Sequence, residues 1–522
     1  MAVWTEARRR PILAAFMLLA LVFVVFRSVG HYNKVVKRRE ARELRKSWHE
    51  EQPTITVPDP LPECPQLIPG YNVSKTRTGP KVLMSSGAYN NVVDGVSKTL
   101  NRLVADLQAR NFQVVIIAPV GEKPAMPHYG LLYPAPSVTV PFRPEYRLAL
   151  GLDRCTREFF EAYDPDIVHV ASPDYLGQQV QMWANEQGLP VVCSYHTRFN
   201  SYLPYYLGSF VAPVDSAVWA WMRYFYNRCH HTYPPTPSVS QELRRHGVTS
   251  ELRIWPRGID LTLFNPNRRS EALRTAWGAD SNTVVLLTVC RLVWEKNLRE
   301  IIETIKLLSN QGEHFLAVVV GEGPARARMQ EELPNVVFSG FLGGVNLSTA
   351  FASADLFFFP SLTETWGAVT LEAMASGLPV IVADAPGSKE LVTNDHTGFL
   401  ITPGRPQRWA NAVVRLLHSP DLRARLAANA LQKVSQTQSY TWERATNMVL
   451  SHYSDLLSTT KRYQDLFEVP GAYDGNSMAN DTSLVGGDDY AAADALLDAA
   501  GHASEEGRSV VESPEADETQ GV

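Results

Sequence analysis

The sequence predicts an α/β protein made of two Rossmann-like halves that face one another across a cleft. Short apolar runs such as KVLMSS, FQVVIIAP, TVVLLTVC and HFLAVVVG have the length of buried strands, and amphipathic stretches such as VSKTLNRLVADLQARN and NLREIIETIKLLSNQ separate them. Strand, loop, helix and strand in that order need crossover connections, hence a parallel sheet. The theme occurs twice, from Lys81 and again from about Asn282, in a chain of 522 residues that exceeds what one core usually supports.

The first fifty residues are a different object. Residues 11–26, PILAAFMLLALVFVVF, carry no charge and follow Arg8, Arg9 and Arg10. At about 1.5 Å per residue they span about 24 Å, slightly short of a hydrocarbon core but extendable through Ser28, Val29 and Gly30. The expectation is an N-terminal transmembrane helix. A cleaved signal peptide is the rival, since Ser28 and Gly30 mimic a small-x-small cleavage site, and the basic run that follows argues against it. Arg27, Lys34, Lys37, Arg38, Arg39, Arg42, Arg45 and Lys46 outnumber the three arginines before the segment, which predicts a single-pass protein with a cytosolic body. The sequons Asn72-Val-Ser74, Asn346-Leu-Ser348 and Asn480-Asp-Thr482 speak for the opposite face. Prolines recur from 51 to 80 as an extended linker, and the segment 470–522 is small, acidic and expected to be disordered.

Between these ends the first half, 81–260, runs through KVLMSS, the loop GAYNNVVDG, a helix, FQVVIIAP, PDIVHVASP, the helix QVQMWANEQ and the strand PVVCSYHT. The second, 261–440, runs through TVVLLTVCRL, a helix, HFLAVVVGEGP, NVVFSGFL, the helix LSTAFASA, the strand DLFFFPS, the helix GAVTLEAMAS and the strand PVIVAD. A final helical stretch, 441–469, is expected to pack back across both.

Composition narrows the function classes. After residue 470 there are 12 acids and one base, which leaves the rest of the chain with 48 bases against 42 acids, too mild an excess to suggest a nucleic-acid partner. Cys64, Cys155, Cys193, Cys229 and Cys290 lie far apart and form no CxxC pair, so reduced structural thiols are expected. The aromatic run SYLPYYLGSFVAPVDSAVWAWMRYFYN reads equally as a membrane-facing surface or a buried helix.

The chemistry should lie at strand ends. Arg291 follows TVVLLTVC and Lys296 stands five residues on at a helix start, two cations beside the positive end of a helix dipole, which suits a pyrophosphate; a solvated surface pair is the alternative. After FFFPS, Thr363 to Trp366 form a turn with Glu364 in it, and GAVTLEAMAS opens a helix whose first amides can take a phosphate oxygen. Glu372 lies further into that helix, too far from Glu364 for the two to act as an acid and base pair across one bond. A helix-capping carboxylate is the bland reading of Glu364.

The motifs RLVWEKN, VGEGP, FSGF, DGVSKTLNRLVADL, SYHTRFNSYL, RGIDLTLFNP, LRTAWGA and above all ETWGAVTLEAMASGLPVI, with its E-x7-E spacing, resemble the GT-B retaining glycosyltransferases of family four over about residues 80–457. Within that family SYHTRFNSYLPYYL and SLTETWGAVTLEAMASG resemble the GDP-mannose-dependent α-mannosyltransferases and the sulfoquinovosyl-diacylglycerol synthases, with the mannosyl branch favoured. The resemblance implies that Arg291 and Lys296 hold the diphosphate of a GDP- or UDP-linked sugar. It puts Glu372 on the ribose and Glu364 on the sugar hydroxyls, with the amides of Thr365, Trp366 and Gly367 beside the phosphate. His196 would reach the sugar's O6 region, although a core histidine satisfied by backbone is the alternative. Gly87 in SSGAYNN would approach the diphosphate, departing from the family's more common paired glycine. Gly321, Gly323 and Phe341 would line the nucleobase pocket.

The implied reaction retains configuration, with the departing phosphate taking the acceptor's proton, no cofactor, and a lipid or membrane-bound acceptor. The string Asp164-Pro165-Asp166 mimics the DxD metal motif, but DPDIVHV reads as a turn into a buried strand, so the expectation is metal-independent transfer. Two other readings are a phosphorylase-like enzyme, which would need a cofactor lysine and a much longer chain, and a membrane-tethered nucleotide-sugar binder without activity.

Overall fold

A computed structural model of the chain describes residues 79–121, 123–140, 143–198, 211–436 and 440–458. The first half runs β1 (Lys81–Ser85), α1 (Gly95–Ala109), β2 (Gln113–Ala118), β3 (Leu131–Pro134), a hairpin of β4 (Ser137–Val140) and β5 (Arg143–Ala149), α2 (Arg154–Tyr163) and β6 (Ile167–Val170). It continues through α3 (Tyr175–Glu186), β7 (Val191–Ser194), α4 (Val211–Tyr226), β8 (His231–Tyr233), α5 (Pro237–Arg245) and β9 (Glu251–Leu252). The second half runs α6 (Glu271–Trp277), β10 (Val285–Val289), α7 (Leu298–Asn310), β11 (Leu316–Val320), α8 (Arg326–Glu332), β12 (Val337–Gly340), α9 (Gly344–Ala352) and β13 (Leu356–Phe359). After α10 (Ala368–Ala375), β14 (Val380–Ala383) and β15 (Gly398–Ile401) come α11 (Pro406–Leu417), α12 (Pro420–Gln436) and α13 (Trp442–Leu457).

Each half is one parallel sheet, ordered β3-β2-β1-β6-β7-β8-β9 and β12-β11-β10-β13-β14-β15. Both sheets are buried on two faces, which is why their strands read as continuous apolar runs rather than alternating ones. In the first, Leu83, Val115 and Ile117 join one core while Val82, Met84, Val114 and Ile116 join the other. In the second, Leu287, Val318 and Phe357 face one core, and Leu286, Val319 and Phe358 face the opposite one. The helices cover these faces with apolar stripes. Helix α1 buries Leu100, Leu103, Val104 and Leu107, spaced at i, i+3, i+4 and i+7, and begins where the Asp94 carboxylate accepts from the amides of Val96 and Ser97. Burying each such side chain contributes about 1.5–3 kcal/mol.

Helix α13 returns to the first half. Its Ala445, Val449, Tyr453 and Leu457 belong to the core that contains β1 and β2, and Thr446 donates to Asp106 at 2.6 Å. Tyr453 meets the imidazole of His169, on β6, at 2.6 Å.

The thiol expectation fails. Cys193 at the end of β7 and Cys229 before β8 form a disulfide with Cα atoms 6.0 Å apart, and Cys155 is disulfide-bonded as well. β7 and β8 are neighbours in the sheet, so residues 36 apart in sequence meet; nothing in their local spacing announces it. Cys290 is the free cysteine among the described residues, and burial pushes its thiol up to about 12. The aromatic run resolves in part: in α4, Val218, Trp219, Trp221, Met222, Phe225 and Tyr226 are core, while residues 199–210 lie outside the described residues. Strands β3 to β5, β8, β9 and β15 and helices α2, α5, α6 and α8 add to the elements read from the sequence. Among the described residues no helix is long and apolar enough to cross a membrane; the expected anchor at 11–30, the linker up to residue 78 and the acidic tail lie outside them.

Candidate active site

In each sheet the strand order reverses once, between β1 and β6 in the first and between β10 and β13 in the second. Such switch points leave a crevice outside the carboxyl ends of the strands. The two sets of strand ends face each other. The Arg198 guanidinium, after β7, donates to the Leu362 carbonyl at 3.0 Å, the Thr365 hydroxyl donates to the His196 carbonyl at 3.1 Å, and the Ser238 amide donates to Glu390 at 3.1 Å. Arg198 is held for this by Glu242 on α5 at 2.9 Å.

At the second switch point Lys296 and Glu364 meet. Lys296 ends a single 3-10 turn after β10, and Asn297, in the left-handed region at φ 58°, passes the chain into α7. Asn297 donates to the Pro360 carbonyl at 3.2 Å, and Thr363 donates to the Glu295 carbonyl at 3.2 Å, so the two strand-end turns are stitched together. Lys296 Nζ then lies 2.6 Å from Glu364 Oε1, and Ser361 donates to the same oxygen at 2.9 Å. Burial by itself raises the Glu364 carboxyl, but Lys296, Ser361 and Arg291 together outweigh it and hold the group below the ordinary carboxylate range. The sequence reading gave these two residues separate duties on a ligand. In the structure they first neutralise each other.

Arg291 is exposed and has no ion pair among the described residues. Behind it the backbone is closed by glycines. Gly321, at φ 135°, would drive a Cβ to 1.9 Å from the Cys290 carbonyl, and Gly323 would drive one to 2.5 Å from that of Leu292. The Leu292 amide donates to the Glu322 carbonyl at 2.7 Å and the Gly321 amide to that of Gly340 at 2.7 Å, so the loops after β10, β11 and β12 form one wall. Phe341, 40% exposed, projects from it as an aromatic face free to stack. Glu322 is paired with Arg326.

Thr365 binds the opposite half, Trp366 is buried against Tyr440, and Gly367 opens α10 at φ 82°. Glu372 sits in the second turn of α10, partly buried. Gly387 backs Glu364: at φ 88°, an added Cβ would stand 2.9 Å from its carbonyl carbon and Cβ. The Gly387 amide is held by Glu390, the carboxylate that also receives Ser238. In the first half, Gly87 lies at the switch point, but its amide donates to Ser172 Oγ at 3.0 Å and is engaged inside the fold. His196 follows β7, its ring edge-on to Trp255 and its Nδ1 2.5 Å from the Arg257 guanidinium.

Sequence reasoning passed over Arg257, Arg198, Ser361 and Glu390. The strings RGID and SYHTRF held the first two in plain sight, without a local signal that distinguishes a cleft arginine from a surface one. Asp164 and Asp166 are structural: Asp164 caps α2 at φ 53°, and Asp166 accepts from the Lys81 amide at 2.9 Å. Among the described residues no three His, Cys, Asp or Glu side chains cluster as metal ligands.

The pattern of Glycosyltransferase Family 4 matches residues 93–263, and that of Glycosyl transferases group 1 matches residues 269–433. A GDP-mannose-dependent alpha-mannosyltransferase of Corynebacterium glutamicum is 31% identical over 73% of this chain and 90% of that protein. Sulfoquinovosyl transferase SQD2 of Arabidopsis thaliana is 28% identical over 68% and 70%. Among solved structures, a sucrose-phosphate synthase from Thermosynechococcus elongatus superposes with a TM-score of 0.60 at 20% identity, covering 73% of this chain and all of that one, a likeness of fold.

Proposed function

Since the chain belongs to glycosyltransferase family four, with a GT-B-like pair of parallel-sheet halves, we propose that it transfers a hexose from a nucleotide sugar with retention of configuration. The observation that carries the proposal is the Lys296–Glu364 pair, 2.6 Å across and only 13% and 14% exposed, seated at the switch point beside Arg291, which has no ion pair among the described residues. Breaking the bond from sugar to diphosphate develops negative charge on the leaving phosphate. Arg291, the ammonium of Lys296 and the first amides of α10 are suited to stabilise it. Glu364, kept ionised, would accept from a sugar hydroxyl, and His196 would approach from the other wall. The acceptor oxygen attacks from the side the phosphate leaves, and that phosphate takes its proton, so no carboxylate need act as a nucleophile. Glu372 would serve the ribose, with Gly321, Gly323 and Phe341 around the base. The engaged amide of Gly87 leaves that residue a shaping part rather than a donor.

Mannose is the favoured sugar, on the strength of the C. glutamicum relative, and sulfoquinovose is the second reading, on that of the Arabidopsis one. Lipid-directed relatives, among them an alpha-monoglucosyldiacylglycerol synthase of Streptococcus pneumoniae, support a lipid or membrane-bound acceptor; the N-terminal anchor is proposed from the apolar run 11–26 alone. For the body's compartment, the basic flank supports the cytosol and the Cys193–Cys229 disulfide supports an oxidising lumen. The cytosolic body is the orientation proposed, and an endoglycosidase mobility shift would overturn it.

The test is a panel of GDP- and UDP-sugars with total membrane lipid as acceptor. Purified protein should transfer or hydrolyse one donor, and Glu364→Ala or Lys296→Ala should lower the rate more than about a hundredfold. No turnover of any donor would leave only the inactive-binder reading. Complete loss in EDTA, restored by Mg²⁺ or Mn²⁺, would overturn metal independence.

A further inference from the structure

His196 and Arg257 come from separate segments of the first half, 61 residues apart, and meet at the cleft wall. Arg257 lies just past β9, where Gly258 lets the chain cross the start of α13: an added Cβ there would fall 2.3 Å from the Trp442 amide nitrogen. Its guanidinium donates to the Trp255 carbonyl at 3.1 Å, stacks 4.4 Å over the Trp255 ring, and reaches His196 Nδ1 at 2.5 Å. It is 8% exposed.

A guanidinium has five N–H donors and no acceptor. The proton between Arg257 and His196 therefore belongs to the arginine, and Nδ1 must offer its lone pair. A neutral imidazole with Nδ1 as acceptor carries its hydrogen on Nε2, and an imidazolium would set N–H against N–H. His196 Nε2 is itself buried and has no hydrogen-bond partner among the described residues. The arrangement thus leaves one N–H donor, with its direction set and no partner among the described residues, on the same residue whose carbonyl accepts from Thr365 in the loop of Glu364.

We infer that Arg257 is a positioning residue: it holds His196 as the neutral Nε2–H tautomer, so that the ring gives a single hydrogen bond to an oxygen of the donor hexose and cannot act as general acid or base. The tautomer stands on geometry alone, whereas the hexose as recipient rests on the transferase reading. The electrostatic surroundings agree. Burial first, then Arg257 and then His169 on β6, push the His196 ring well below its ordinary value. From the facing half, Thr365 engages only the carbonyl, and Glu364 is held by Lys296. Arg257 loses stability as a cation through burial, down to about 9, so it stays charged at neutral pH.

The experiment uses the full chain labelled with ¹⁵N-histidine, with His196 assigned by its loss in His196→Gln. The ring should carry its proton on Nε2 and show no titration between about pH 5 and 8, where an ordinary histidine titrates. Arg257→Met should leave the ring neutral through burial but release its tautomer, so that the Nδ1–H form becomes populated, and lower kcat by about 10- to 100-fold, the range for a misplaced contact, with KM for the donor changed far less. Arg257→Lys, which keeps a donor-only cation, should restore the tautomer and recover part of kcat. A wild-type His196 protonated on Nδ1, or titrating near pH 6.5, overturns the inference, and needs no variant to fold. Wild-type kcat in Arg257→Met overturns the positioning role. If the tautomer is as stated while no nucleotide sugar is turned over, it is the transferase reading that fails.

Discussion

Replacing Lys296 by methionine removes the charge that faces Glu364 while keeping most of the stem. At 2.6 Å the gross attraction in the pair is about 6 kcal/mol for an effective dielectric near 20, most of which offsets the desolvation of both groups. What the variant loses is the partner of a carboxylate that stays enclosed, and such removals cost about 3–5 kcal/mol in full burial. With 13% and 14% exposure remaining, the lower end, about 3 kcal/mol, is expected in denaturant unfolding. The sign of the Glu364 shift must also change. Burial, the largest influence, raises its carboxyl, and Lys296 is the leading influence that reverses this. In the wild type the ionised form is therefore favoured above the usual 4.5, and the pair's contribution is lost only as pH falls through a value below that. In Lys296→Met the carboxyl moves up, so the acid limb of kcat/KM moves to higher pH. The rate at neutral pH should fall more than about a hundredfold, or about 2.7 kcal/mol of transition-state stabilisation. The assay is donor turnover across pH 4 to 9, with Lys296→Arg as the charge-conserving comparison. A variant within tenfold of wild type whose acid limb does not move would refute the reasoning.

Gly387→Ala would force a Cβ against the backbone of Glu364 at φ 88°, which should cost about 1–3 kcal/mol of strain and about tenfold or more in kcat/KM. Gly188→Ala, at φ 71° with nothing within 4 Å of an added Cβ, should lower stability and leave activity unchanged, so parallel melting and rate measurements separate strain from site geometry. Cys229→Ser opens a covalent loop of 36 residues and should lower unfolding free energy by about 2–4 kcal/mol in denaturant titration. Arg198→Met removes the bridge to the Leu362 carbonyl and leaves Glu242 without its partner; donor KM should rise several-fold while Gly321→Ala, on the far wall, lowers kcat/KM through displacement of the Arg291 turn.

The central strands β1, β2, β6, β7 and β10 to β14, the main crossover helices between them and the strand-end turns at Arg291, Lys296 and Glu364 could be read from the chain directly. Buried strands are short apolar runs, their helices carry a 3.6-residue stripe, and both signals are complete within a dozen residues. The hairpin β4–β5 escaped because its one distinguishing pattern, alternation, is weak: paired Val138 and Leu148 are both about half exposed. What the tertiary structure alone decided are the meetings between distant residues. Glu364 neutralises Lys296 across 68 positions because β10 and β13 are adjacent in the sheet, and Cys193 bonds Cys229 because β7 and β8 are. Tyr453 closes on His169 across 284 positions because α13 returns to the first core. Strand order and the return of the last helix come from the summed packing of whole faces, and no single stretch of sequence contains that sum. The groups able to do chemistry were therefore visible one by one, while their protonation, pairing and direction depended on neighbours that only folding supplies.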